Sequence, residues 1–208
     1  MKRRDAKQSF TRTFQSKTLK TGQTTDRSPA GYSAKDDGNL QVGYAKSYTV
    51  NTTGQYSGTT NVTVNGKTDV KSNNTVTDDN TGLMWTRYPS ASVGSASDGR
   101  LKWDDTGGSN EDVFAYCDAA NTASLSGHTD WRVPNIREMM TLPNMEVADA
   151  QPDGTAFPSG FNANAWSSTT APTDITMAMK YSPSNGIFNA STGNKTNGSN
   201  FWVMLVRG

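Results

Sequence analysis

Residues 127–139 read GHTDWRVPNIREM, and they contain the clearest structural signal in the chain. Asn135 precedes Ile136 and two methionines that recur at the spacing of one helix face. Glu138 stands three residues after Asn135, which is the sequence pattern of a capping box. Pro143 cannot continue a helix. The stretch therefore predicts a short helix that begins after Asn135, buries its apolar side and ends before the proline.

A second helix is predicted upstream of this stretch. Ser109 opens the run Ser-Asn-Glu-Asp, which supplies an N-cap and acidic residues for a first turn. The apolar residues that follow recur three and four apart and form one stripe. They are Val113, Tyr116, Cys117 and Ala120.

Short β-strands are predicted around these helices. Residues 42–50 and 61–65 alternate apolar and polar residues, and Gly66 follows the second run as a turn. The turn DDNTG leads into the apolar run LMW at 83–85, and the Ser/Gly/Asp-rich residues 88–106 are expected to form a surface loop. Further short strands are predicted at 177–181, 186–189 and 201–207. The predicted fold class is α+β, with two helices on a small, irregular antiparallel sheet in a loop-rich chain.

Composition narrows the classes of function. The chain has 208 residues with 33% hydrophobic and 19% charged residues, so its polarity comes from uncharged side chains rather than from charge. The formal net charge of +1 gives no field that would recruit nucleic acid. The basic start MKRRDAKQSF lacks the apolar core of a signal peptide, and no run is long enough to span a membrane. We expect synthesis in the cytoplasm, with virion association as a further location.

Four tryptophans are predicted to form the core of this polar chain. Each can bury on the order of 200 Å2, so a few of them replace many aliphatic residues. These are Trp85, Trp103, Trp131 and Trp166. Arg132 and Arg207 are expected to donate hydrogen bonds to loop carbonyls.

The motifs described so far occur in a recognisable order. They are TGLMW at 81–85, Tyr116-Cys117, GHTDWRVPNIREM at 127–139, WSSTT at 166–170, Asn185-Gly186 and the terminal VRG. This ordered set resembles the Lcl C-terminal domain family of bacteria and phages. The resemblance implies a C-type-lectin-like fold related to the formylglycine-generating enzymes. It covers residues 19–208 as one domain. Residues 1–18 are basic, rich in Ser and Thr and without apolar periodicity, which predicts a flexible N-terminal arm or, alternatively, an arm that pairs with a neighbouring subunit.

The C-terminal segment is also similar to the variable proteins of diversity-generating retroelements, in which a reverse transcriptase rewrites exposed positions of a fixed scaffold. This similarity implies that residues 164–208 are the variable ligand-binding region, because they mix apolar, aromatic, amide and hydroxyl side chains as a paratope does. The predicted ligand-binding residues are Asp174, Thr176, Met177, Met179, Tyr181, Ile187, Phe188, Asn189, Ser191, Asn197, Asn200, Phe201 and Trp202.

Two structural alternatives remain open within this segment. Ile175, Met177 and Met179 either face a partner or point inwards from a strand. Phe201 and Trp202 are adjacent, so on a strand they point to opposite faces and cannot enter the same core. The expected partner is a protein or glycan ligand on a host or target surface, and oligomerisation or display on a virion would raise avidity.

Enzyme chemistry lacks the residues it would need. The related oxidases require a cysteine pair, and Cys117 is the only cysteine. His128 is the only histidine, so a histidine-based metal site is not supported. Gln151-Pro152-Asp153 resembles a calcium-dependent sugar-binding tripeptide but lacks the second half of that site. We therefore expect no catalytic residues, no metal and no cofactor. The alternative function is an invariant adhesin or structural lectin-like domain of a phage or cell-surface assembly.

Overall fold

The computed structural model describes residues 19–21, 23–25, 36, 40, 43–146, 151–158, 164–182, 193–196 and 200–208. These residues form short strands and two α-helices, joined by long irregular segments. The strands are β1 (Tyr48–Asn51), β2 (Thr59–Val64), β3 (Lys67–Ser72), β4 (Thr75–Asp78), β5 (Met84–Thr86), β6 (Ala165–Ala171), β7 (Asp174–Tyr181), β8 (Gly193–Asn194) and β9 (Val206–Arg207). The helices are α1 (Val113–Thr122) and α2 (Ile136–Met139), and 3-10 turns occupy Gly54–Tyr56 and Leu125–Gly127.

The strands form three antiparallel groups. One sheet has the order β1-β4-β5-β9, the hairpin β2-β3 stands by itself, and a second sheet has the order β6-β7-β8. The predicted α+β, loop-rich class with antiparallel strands and two helices is confirmed. Where the sequence predicted one strand over 42–50, β1 begins only at Tyr48.

The β2-β3 hairpin closes at the turn predicted from Gly66. Asn65 and Gly66 both have positive φ, at 48° and 73°. Positive φ at both central residues defines the type I′ turn, whose twist matches that of the flanking strands. The hairpin therefore has a fixed register, and Val62 and Val64 both face the core.

The predicted first residue is correct for α2 and wrong for α1. Asn135 accepts a hydrogen bond from the Glu138 amide, and Glu138 accepts one from the Asn135 amide, so the capping box of α2 is confirmed. The predicted start of α1 at Ser109 is wrong. Asp112 is the N-cap, because its carboxylate accepts from the amides of Phe114 and Ala115. Ser109 instead donates to the carboxylate of Asp105.

Two buried clusters form the core, and the C-terminal run 203–206 contributes to both. Val203 and Leu205 lie in the first cluster with Trp131 and Trp166, while Met204 and Val206 lie in the second with Trp85. These three tryptophans are at most 2% exposed, so their predicted role as core anchors is confirmed. Trp103 is half-buried and packs against the edge of the first cluster.

The segment 88–106 is not the surface loop that its composition suggested. Val93 and Leu101 are fully buried, and Leu101 exchanges backbone hydrogen bonds with Phe201. The Ser90 hydroxyl donates to the Gly99 carbonyl at 2.6 Å and accepts from the Val203 amide at 3.1 Å. The prediction failed because small polar residues here bond to buried backbone rather than to water.

Arg132 and Arg207 form ion pairs rather than the predicted bonds to loop carbonyls. The two terminal nitrogens of Arg132 donate to the two carboxylate oxygens of Glu138 at 2.7 and 2.6 Å. Arg207 donates to both oxygens of Asp130 at 2.7 and 3.0 Å. A planar guanidinium matches a carboxylate in this two-point arrangement, which explains the choice of partner.

Among the described residues, no helix is both long and apolar enough to cross a bilayer.

Candidate functional site

The sheet β6-β7-β8 carries most of the predicted binding residues that the structure describes. β7 is central, pairing with β6 on one side and with β8 on the other. Successive residues of a strand point to opposite faces, but the pairing of β7 with β6 shifts register between Asp174 and Ala178, so strict alternation holds only from Met177 to Tyr181. The predicted residues therefore do not converge on a single face.

Three apolar side chains of β7 reach solvent, and we call Ile175, Met177 and Met179 the aliphatic face. Ile175 is 81% exposed, and the two methionines are half-buried. The alternative in which these residues point into the core is wrong for Ile175. Tyr181 continues the same alternation but is 1% exposed in the second core cluster. A ligand cannot reach its ring, so Tyr181 is removed from the binding set.

The opposite face of the same sheet is mostly covered. Trp166 lies across from Lys180, and Ala178 lies across from Gly193. Trp166 and Ala178 are fully buried and Lys180 is 7% exposed. The Phe201 ring packs on Trp166 with centroids 4.7 Å apart, so it closes this face.

Asp174 and Thr176 lie at the exposed beginning of β7. One Asp174 carboxylate oxygen accepts from the Thr176 amide at 2.8 Å and from its hydroxyl at 2.6 Å. These two hydrogen bonds lower the pKa of Asp174. Both side chains are accessible, but each already has a partner on its own strand.

The adjacent aromatics Phe201 and Trp202 have different surroundings, as strand alternation requires. Phe201 packs against the first core cluster, while Trp202 is half-buried with the Arg100 guanidinium 5.7 Å from its ring centroid. Asn200, just before them, is half-buried. Five further predicted residues lie outside the described residues. They are Ile187, Phe188, Asn189, Ser191 and Asn197.

Three cations of this region lie over aromatic rings. Besides Arg100 over Trp202, the Lys180 ammonium is 4.4 Å from the centroid of Phe201 and the Lys195 ammonium is 4.2 Å from that of Trp103. Burial lowers the pKa of Lys180. Such contacts hold long side chains against rings, so they rigidify the surroundings of the binding residues. These pairs could not be predicted from the sequence, because residues far apart in the chain form them.

Three concave regions of the surface are lined by none of the predicted binding residues that the structure describes, and none of these regions was predicted from the sequence. Cavities of about 340 and 380 Å3 flank α2 and share Arg137 in their walls, with Met140 53% exposed in the first. A third cavity of about 250 Å3 is lined by residues that include Lys46 and Tyr48. Their walls combine residues of α2 or β1 with residues from other segments, so no local pattern in the sequence marks the cavities.

The residues that were considered for catalysis or metal binding, Cys117, His128 and Asp153, are buried or hydrogen-bonded to neighbouring residues. Cys117 is buried, and burial raises the pKa of its thiol to about 11, which keeps the thiol protonated. The imidazole of His128 lies 3.4 Å from the Tyr56 hydroxyl, and partial burial lowers its pKa. Asp153 of the Gln-Pro-Asp tripeptide accepts from the amides of Thr155 and Ala156. Within the described ranges, no group of three or more His, Cys, Asp or Glu residues is placed to hold a metal ion.

Comparison with known protein families gives one match. The Lcl C-terminal domain family matches residues 74–207, from the start of β4 through β9. The match includes α1, α2 and the whole β6-β7-β8 sheet, and it begins after the β2-β3 hairpin. The chain matches no curated protein and no solved structure.

Proposed function

This chain belongs to the Lcl C-terminal domain family, and from that premise we propose that it is a non-enzymatic protein that binds a ligand through its C-terminal region. The proposed partner is a protein or glycan on a host or target surface. The proposed contact residues are the aliphatic face of β7 and its neighbours Asp174 and Thr176. Asn200 and Trp202 are further proposed contacts at the other end of the sheet, where Trp202 pairs with Ala165.

The exposure of Ile175 carries this proposal. An isoleucine that is 81% exposed beside two half-buried methionines is an apolar surface without cover. A contiguous exposed apolar patch with a polar rim is typical of interaction sites, and Ile175, Met177 and Met179 are the proposed apolar part of one. Methionine adapts its shape to different partners, which suits a surface that accommodates new ligands.

We propose a C-type-lectin-like architecture for residues 19–208. Two helices, short antiparallel strands and long irregular connections are compatible with it. Trp166 of the WSSTT run is held by a hydrogen bond from its indole nitrogen to the Leu101 carbonyl at 2.8 Å, and it packs in the first core cluster. The motifs of the resemblance thus coincide with residues that fix the frame.

We further propose that residues 164–208 are the diversified region of a retroelement variable protein. β7 supports this, because Ala178 is fully buried while Ile175, Met177 and Met179 reach solvent. Substitution at such exposed positions would leave the frame intact. The neighbouring DNA provides the test: a near-copy of the codons for 164–208, differing only at adenines, should lie beside a reverse-transcriptase gene. Absence of such a repeat from the complete genome rejects the retroelement proposal.

Binding itself is tested by removing the aliphatic face. We expect the double variant Ile175→Ser, Met177→Ser to bind intact target cells and arrayed glycans at least tenfold more weakly than the wild type, with an unchanged melting temperature. The matched control is Val70→Ser, which removes an apolar residue that is 61% exposed on the β2-β3 hairpin. If both variants bind as the wild type does, this face is not the binding surface.

The alternative is an invariant adhesin or structural domain. It predicts one fixed partner and no template repeat in the genome, so the genomic test separates the two proposals. In either case display in several copies would raise avidity without new contacts.

A further inference from the structure

The two cavities that flank α2 are neighbours, and together we call them the α2 cleft. The first cavity, of about 340 Å3, and the second, of about 380 Å3, share three wall residues. These are Thr81, Arg137 and Thr141. Each volume lies in the range of sites that hold small molecules. A ligand that contacts the shared residues can therefore extend into both cavities.

The wall of the second cavity contains four side chains that donate no hydrogen bond within the described part of the chain. Their donor groups are the Arg137 guanidinium, the Asn135 side-chain amide and the hydroxyls of Thr81 and Thr169. The two hydroxyls do accept hydrogen bonds, from the backbone amides of Leu83 and Ile136. These four donors are available to a ligand that supplies acceptors.

The strongest acceptors of the same wall are already occupied. The Glu138 carboxylate accepts from Arg132 through both of its oxygens and from the Asn135 backbone amide. The side-chain oxygen of Asn135 accepts from the Glu138 amide. Arg132 thus neutralises the acid of this wall, whereas Arg137 has no ion-pair partner among the described residues. Free donors around an uncompensated positive charge favour an anionic ligand.

The first cavity supplies apolar surface on the other side of Arg137. Its apolar wall residues are Leu19, Tyr44 and Met140. Met140 is 53% exposed, so its side chain is accessible to a ligand. The Asp79 carboxylate also lines this cavity, and it accepts from the hydroxyls of Ser47 and Thr49. Its negative charge repels an anionic group, so the charged end of a ligand belongs in the second cavity and the apolar end in the first.

We propose that the α2 cleft binds a small monocarboxylate with an apolar body. The carboxylate accepts from the Arg137 guanidinium, which matches it in a two-point arrangement, and from Asn135 or Thr81 beside it. The apolar body lies in the first cavity against Met140. An inorganic anion would leave this apolar wall uncovered, which is why the ligand is an organic acid. The cleft uses none of the aliphatic face, so it is a second binding function beyond the one proposed above.

The methyl group of Met140 provides a direct readout, because the apolar body of the ligand should lie against it. The chain has eight methionines, and in protein labelled with 13C at their methyl groups the Met140→Leu variant assigns the Met140 signal. Titration with benzoate, phenylacetate and hexanoate is expected to shift this signal for at least one acid. The uncharged amide of that acid has the same apolar body and should bind at least tenfold more weakly.

Substitution of the arginine tests the contact with the carboxylate. Arg137→Gln should weaken binding of the acid at least tenfold, because charge-assisted hydrogen bonds are lost. The melting temperature should not change, since Arg137 is exposed. Arg100→Gln is the matched control, because it removes the charge of an exposed arginine that lines neither cavity. This variant should bind the acid as the wild type does.

Four outcomes overturn this proposal. If no acid shifts the Met140 signal up to its solubility limit, the cleft does not bind this class of molecule. Equal affinities for the acid and its amide would remove the role of the charge, and unchanged affinity in Arg137→Gln would place the ligand elsewhere. If inorganic phosphate competes as well as the acid itself, the apolar wall contributes nothing. Cell binding that is lost in the Ile175→Ser, Met177→Ser variant but kept in Arg137→Gln separates this site from the proposed binding function.

Discussion

At the scale of single residues, Lys71 is a buried charge whose ammonium is hydrogen-bonded by backbone carbonyls. It is 3% exposed on β3, and its ammonium donates to the carbonyls of Tyr88 and Pro89. Burial lowers its pKa from 10.5 to about 8, against the raising effect of Asp69. Its side chain therefore fixes the entry to the irregular segment 88–106 at an electrostatic cost.

That cost makes stability depend on pH. Between pH 8 and 10.5 the unfolded state binds more protons at Lys71 than the folded state, so the free energy of unfolding rises with pH. From about pH 7.5 to 9.5 the contribution of Lys71 amounts to about 2 kcal/mol. Urea unfolding at several pH values should show this rise reduced by that amount in Lys71→Met. Lys46, whose pKa is also about 8, contributes equally to both proteins and does not affect the difference.

Above pH 10 the trend is expected to reverse. Burial raises the pKa values of Tyr48, Tyr116 and Tyr181, so their ionisation favours the unfolded state. Lys71→Met and the wild type should therefore be compared only below pH 10. Parallel pH profiles for Lys71→Met and the wild type would contradict a depressed pKa at this position.

A second prediction at this scale concerns Gly193, where β8 meets a tryptophan. A Cβ at this position would lie 2.3 Å from Cζ3 of Trp166, which is fully buried and has no room to move. Gly193→Ala should lower the free energy of unfolding by about 1–3 kcal/mol through overpacking. Gly154→Ala is the control, because a Cβ there meets nothing within 4 Å. Chemical unfolding of both variants measures their free energies of unfolding. Equal values would show that β8 shifts away from Trp166 at little energetic cost.

At the scale of elements, α2 depends on its first turn. The helix has four residues, too few to be stable alone, and it must deliver Met139 to the second core cluster. Asn135→Ala removes the acceptor for the Glu138 amide and should cost about 1 kcal/mol of unfolding free energy. Arg137→Ala, at an exposed position of the same helix, is the control and should change stability little. A thermal unfolding series measures both, and an unaffected Asn135→Ala would mean that packing alone holds α2.

The helices and strands also show which features of the fold could be predicted from the sequence. The capping box and the Asn65-Gly66 turn are local patterns, and both were predicted correctly. The pairing of Arg132 with Glu138 was missed, because donor geometry alone does not select a carboxylate over a carbonyl. The faces of β7 could not be assigned either, since a shift of one residue exchanges inner and outer side chains. The cation–aromatic pairs depend on contacts between distant segments, which no local pattern encodes.

At the scale of the whole molecule, the run 203–206 joins the two core clusters. Met204 and Leu205 are fully buried neighbours that enter different clusters, and Leu205 exchanges hydrogen bonds with Thr86 through its amide and carbonyl. A run of residues that alternates between two clusters makes each cluster depend on the other, because neither can lose the run alone. We therefore expect one cooperative unfolding transition rather than two.

This coupling is tested by truncating one side chain of each cluster. Leu205→Ala and Met204→Ala should each cost about 2–5 kcal/mol, since both leave a cavity in a packed interior. Amide hydrogen exchange should then accelerate equally in β2, which packs on the first cluster, and in β4, which packs on the second. Val70→Ser on the hairpin surface should leave both rates unchanged. Acceleration confined to β2 in Leu205→Ala and to β4 in Met204→Ala would show two independent cores. The exposed end of β7 would then be held by the first cluster alone, because Ala178 and Trp166 belong to it.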